Sequence, residues 1–88
     1  MAEQEILLLR HQALIWLRSD LTALTWLYAE SAQSTPLLIK TLNHWKTDDD
    51  LVSVRDKDPQ EMLPEVERRD WQKLWFDVNA LLRLMNNP

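Results

Sequence analysis

Not one glycine occurs in these 88 residues, and that absence decides most of what the chain can become. A phosphate-cradling loop, a dinucleotide fingerprint, a nucleophile elbow and a standard calcium loop each need backbone that only glycine adopts or approaches cheaply. All four are excluded. The remaining punctuation is Pro36, Pro59, Pro64 and the terminal Pro88. Between these breaks, seventeen leucines against four valines and three isoleucines favour helix over strand. The expectation is an all-α small helical bundle, a single domain over residues 1–88, with a long N-terminal helix packed against a second and a C-terminal helix and an irregular acidic connection between them.

No proline interrupts the chain before Ser31, and Ile6, Leu9, Ala13, Trp16, Leu17, Leu21, Leu24, Leu27 and Tyr28 recur at spacings of three and four. That rhythm predicts one amphipathic helix over about 2–31 with those residues on its core stripe. Thr35 before Pro36 reads as an N-cap followed by a first-turn proline, starting a helix over about 36–46 with Leu38, Leu42 and Trp45 on one side. Residues 47–58 should form the irregular connection, with one helical turn near Leu51 and with Leu51, Val52 and Val54 tucked beneath it. Asp58 and Glu61 suggest a capping box for a short turn over 59–63. Pro64 then opens the last helix, about 64–85, where Trp71, Leu74, Trp75, Val78, Leu81, Leu82 and Met85 hold the helical rhythm without a miss. Glu65 and Glu67 suit its positive start, and Arg83 its negative end.

Fourteen acids against ten bases leave a net charge of -4, which argues against nucleic acid because such binding rests on a basic footprint. The longest early apolar run, Ile6 to Leu9, follows Glu3 and Glu5 and is too short for a signal peptide or a membrane span. A cytoplasmic protein is expected. Without cysteine there is no disulfide, thiolate zinc site or cysteine nucleophile. A domain this small leaves roughly 40% of its surface exposed, so its stability should be marginal unless a partner helps.

Each pattern that suggests chemistry also has a plainer reading. His11 and His44 fall on different predicted helices, and although Asp48 lies one turn from His44, a metal site needs three or more convergent ligands. Asp48 to Asp50 resembles the start of a calcium loop but has Ser53 at the sixth position and Pro59 at the twelfth. Glu65, Glu67, Asp70 and Asp77, interleaved with Arg68, Arg69 and Lys73, read as the charged outer face of a helix rather than as paired acid/base carboxylates. Trp16, Trp45, Trp71 and Trp75 fall on core stripes, whereas Trp26 does not. Arg55 and Asp56 read as hydrogen-bonding clamps on the connection. No catalytic residue, metal or cofactor is expected, and so no enzymatic activity.

Three strings carry a resemblance: RHQALIWLRSDL (Arg10 to Leu21), TLNHWKTDDDLVSVRD (Thr41 to Asp56) and LPEVERRDWQKLWFDVNALL (Leu63 to Leu82). Together these 48 residues resemble the C-terminal region of large bacterial serine/threonine protein kinases with tetratricopeptide repeats, of the planctomycete type. In those relatives the segment follows the repeats, far from the kinase domain. The resemblance implies a non-catalytic helical end-piece or interaction module. It transfers no kinase activity, since a glycine-rich loop, a catalytic-loop HRD and a DFG are all missing. The chain is then either a small relative standing alone or an excised module.

Two positions depart from the kinase-tail pattern. Ile15 and Phe76 stand where those relatives carry a polar residue or alanine. On a helical wheel Ile15 falls with Leu8 and Trp26, about 180° from the main stripe of the first helix, and Phe76 falls off the last helix's stripe. A second apolar stripe needs a second neighbour. The expected function is therefore protein–protein interaction or repeat capping, through Leu8, Ile15 and Trp26, with Phe76 second. The partner would be a repeat-containing protein or a second copy, the latter giving a homodimer. The competing expectation is a small ligand-binding or enzymatic helical domain with a tryptophan-lined pocket. A third is a degraded remnant without activity.

Overall fold

The computed structural model describes residues 3–86. Its elements are α1 (Glu3–Glu30), a 3-10 turn (Ala32–Ser34), α2 (Thr35–Thr47), a second 3-10 turn (Asp49–Leu51), α3 (Val52–Arg55), α4 (Lys57–Glu61) and α5 (Glu65–Asn86). The fold is all-α, with no strand among the described residues. None of the helices among them is long and apolar enough to cross a membrane. The predicted start at Ala2 lies outside the described residues.

The core is built around α5. Its Trp71, Leu74, Trp75, Val78, Leu81, Leu82 and Met85 are all buried, against Leu38, Leu42 and Trp45 of α2 and Val54 of α3. This matches the rhythm read from the sequence, because α5 is surrounded along most of its length. By contrast, α1 contributes a single buried residue, Leu21, flanked by the half-buried Ala13, Leu14, Leu17, Leu24 and Tyr28. At 28 residues it spans roughly 42 Å, close to the full 45 Å length of the molecule.

The broad stripe predicted for α1 is too wide. Ile6, Leu9, Trp16 and Leu27 are exposed rather than core. Ile6 precedes the point where α5 begins beneath α1, and Leu9, Trp16 and Leu27 lie about 100° round the helix from the Leu17–Leu21 line.

Two start signals also land differently. The 3-10 turn runs straight into α2, so the backbone is already helical at Ser34 and Thr35 is the first helical residue rather than its cap. A capping side chain needs extended backbone behind it. The same rule moves the start of α4. Asp56, at φ -76° and ψ 148°, takes the cap position, Asp58 sits within the first turn, and no Asp58–Glu61 box forms. Pro64 stands one residue before α5, its carbonyl accepting the Arg68 N–H at 2.8 Å.

The acidic connection is more regular than expected, being mostly 3-10 turn and short helix. Arg55 organises it. Its Nη1 donates to the carbonyls of Trp45 at 3.1 Å and Asp48 at 2.6 Å, and its Nε donates to Asp56 Oδ1 at 3.1 Å. These carbonyls lie at the end of α2, where the helix leaves acceptors without internal partners. The clamp reading of Arg55 and Asp56 is what the structure displays. Asp48 is equally local, its Oδ1 accepting the Asp50 N–H at 2.9 Å to cap the second 3-10 turn.

Candidate interaction surface

Two ion pairs fix which side of α1 faces outward. The Arg10 guanidinium donates twice to the Glu67 carboxylate, and Arg18 Nη1 donates to Asp77 Oδ2 at 2.6 Å. Further along, the Tyr28 hydroxyl reaches the Leu84 carbonyl at 3.5 Å. Positions 10, 18 and 28 thus advance with 67, 77 and 84, so α1 and α5 run in the same direction. The hydrogen bond and charge of Glu67 raise the Arg10 pKa against the opposing effect of burial. At Asp77 burial pushes upward, but hydrogen bonds from Lys73 and Arg18, with their charges, outweigh it and hold the carboxyl below its ordinary value.

This corrects the reading of the α5 acids as a purely outer charged face. Glu67 and Asp77 turn toward α1 as inter-helix anchors, while Glu65 pairs locally with Arg69 at 2.6 Å and Asp70 stays exposed.

With Arg10 and Arg18 pinned inward, the opposite side of α1 is apolar and open. Leu8 is 66% exposed, Ile15 47% and Trp26 65%, and at 100° per residue the three lie within about 20° of one line. A parallel ridge of Leu9, Trp16 and Leu27, also exposed, runs beside them. The strip between the ridges holds Glu5, Gln12, Ser19, Ala23 and Glu30, all exposed. Large apolar side chains left exposed along one side of a helix are candidates for an interaction surface. Phe76 is 67% exposed on the outer side of α5, with Lys73 Nζ 5.4 Å from its ring centroid, within cation–π range. The structure therefore brings Leu8, Ile15 and Trp26 together and sets Phe76 on a separate face.

Clefts follow the same ground. One of about 450 Å³ opens between the first half of α1 and the start of α5, walled by Leu7, Leu8, Leu14 and Val66, with His11 and Asp70 on its lining. A shallower one of about 350 Å³ lies along α1 at Thr22, Thr25, Trp26 and Ala29. The two histidines sit on α1 and α2, His44 Nε2 lying 3.7 Å from Asp48 Oδ2 on the surface. Among the described residues, no three His, Cys, Asp or Glu side chains converge as metal ligands. Trp45, Trp71 and Trp75 are core, whereas Trp16 joins Trp26 in solvent, against the expectation that Trp16 is core.

No protein-family model, curated protein or solved structure matches this chain.

The exposed ridge of Leu9, Trp16 and Leu27 escaped sequence reading because its residues were assigned to the core stripe.

Proposed function

We propose that this chain is a non-catalytic protein-interaction module, working in the cytoplasm, whose outer α1 face receives an apolar helical stripe from a repeat-containing protein or from a second copy. The observation that carries the reading is the alignment of Leu8, Ile15 and Trp26 on the side of α1 turned away from the core. A tryptophan desolvated on binding is a frequent hot spot, and Trp26, exposed beside Thr22, Thr25 and Ala29, is the residue proposed for that role. The likeness to kinase tails supports the same reading, since a piece that ends a repeat array covers its last apolar side and turns polar groups to water. An acidic, cysteine-free composition is compatible with the cytoplasm.

The ligand-pocket alternative has less support. Three of five tryptophans are consumed by the core, the cleft beside His11 has none on its wall, and the shallower cleft along α1 has Trp26 alone, with Thr22, Thr25 and Ala29 and no charged group. The test is Ile15→Asp. It should leave the helical circular-dichroism signal intact while abolishing self-association or partner capture. Loss of the folded state would instead assign Ile15 to the core and sink the reading.

A further inference from the structure

We propose that the occupant of the outer α1 face is the outer α5 face of a second copy, so that unlike faces meet. The inference rests on the interaction reading above and names the partner.

Charge is the first argument. Glu5, Asp20 and Glu30 are exposed on α1 and enter no ion pair among the described residues, while the only arginines of α1 are held inward by Glu67 and Asp77. The outer α1 face is therefore acidic and apolar. The outer side of α5 carries Arg69, Lys73 and Arg83 around Phe76, with the exposed Leu84 beyond; Arg69 is held by Glu65 and Lys73 by Asp77 within the chain, which leaves Arg83 as the cation to be paired from outside. Arg83 makes no ion pair among the described residues. Two α1 faces meeting would oppose acid to acid, whereas α1 against α5 opposes acid to base.

The end of α1 adds a second argument. Its last turn contains no basic residue and closes on Glu30, a carboxylate placed at the negative end of the helix dipole. An arginine delivered from outside would offset both charges.

Dimensions agree. From Leu8 to Leu27 the α1 face runs roughly 28 Å, and from Val66 to Leu84 the α5 face runs roughly 27 Å. Asp20 and Glu30 are ten residues apart, as are Lys73 and Arg83, so a parallel alignment sets Glu30 beside the unpaired Arg83 and Asp20 beside Lys73, which also bonds Asp77 of its own chain; the two faces then overlap over residues 13–27 and 66–80, roughly 21 Å. In that register the bulky Phe76 falls opposite the small Ala23 between the two α1 ridges, and Trp16 falls opposite Arg69. A parallel pairing repeats between copies the direction that α1 and α5 already share within one chain. Such a contact uses two different patches: it closes at two where the return contact of α5 with α1 forms in the same pair, and otherwise builds a ring of three or more or an open string.

The test is sedimentation velocity on the full chain over a hundredfold concentration range. Wild-type mass should rise above that of a monomer with concentration. Trp26→Asp and Phe76→Asp should each weaken association at least about thirty-fold, as loss of a hot spot does. Mixing the two should restore a one-to-one complex, because each retains the face the other lacks. Glu30→Lys and Arg83→Glu should each weaken association about two- to fivefold, and the double variant should recover it. Three outcomes overturn the inference: a plateau at dimer that Phe76→Asp leaves unchanged, which indicates an α1–α1 contact; a double variant no better than its parents; and a monomer throughout. The last removes self-pairing but leaves the interaction reading to stand or fall on the effect of Ile15→Asp on capture of a repeat-containing partner.

Discussion

Trp75 Nε1 donates to the Val54 carbonyl at 3.0 Å, and Gln60 Nε2 donates to the same oxygen at 2.8 Å. One acceptor thereby joins α5 to α3 and α4, and among the described residues Gln60 is the one polar residue buried with the core. Trp71 differs, since its Nε1 is buried without a hydrogen-bond partner among the described residues. An unpaired buried donor costs about 1–3 kcal/mol, whereas a made bond contributes about 1. Trp75→Phe should therefore destabilise more than Trp71→Phe, by about 2–4 kcal/mol in urea unfolding. Equal losses would mean that ring packing alone matters at both sites.

Arg55 should behave as a structural residue. Replacing it with methionine keeps much of the stem but strips the bonds to Trp45 and Asp48. Hydrogen bonds from charged donors contribute about 1.5–3 kcal/mol, so a loss of about 2 kcal/mol is expected. A change below about 0.5 kcal/mol would show that the end of α2 is satisfied without it.

Asp77 should set part of the acid response. Its folded pKa lies below the ordinary 3.8, so its carboxylate stabilises the fold above that value, and the contribution is lost as pH falls through the folded pKa. Asp77→Asn should be less stable at pH 7, and its stability should vary less between about pH 5 and pH 2. A wild-type-like slope over that range would place the acid sensitivity elsewhere.

The two sides of α1 should separate cleanly by stability. Leu21→Ala removes the one buried side chain that the helix contributes and should cost about 2–3 kcal/mol. Ile15→Ala, on the outer side, should change the stability of the monomer by no more than about 0.5 kcal/mol. Similar costs at both positions would mean that α1 is enclosed on both sides.

How far the sequence could be read depended on how completely each helix is surrounded. In α5 the hydrophobic rhythm and the burial coincide residue for residue, because α1, α2 and α3 all pack against it. In α1 the same rhythm includes both residues that face the core and residues that face solvent, so Trp16 and Leu9 could not be separated from Leu17 and Leu21 by period alone. The role of Arg55 was readable because its acceptors lie within ten residues. The anchors Arg10–Glu67 and Arg18–Asp77 were not, since 57 and 59 residues separate the partners and only the fold brings them together. The start of α4 turned on a backbone angle at Asp56 that its side chain does not announce.

The shared direction of α1 and α5 bears on how the chain is made. Arg18 leaves the ribosome 59 residues ahead of Asp77, which at 5–20 residues per second is roughly 3 to 12 s. During that interval α1 has leucines and tryptophans round its whole circumference and lacks the helix that shelters half of them. The newborn protein thus passes through a stage in which both sides of its first helix are open to chaperones and to other nascent chains, and only arrival of the last helix reduces that to one.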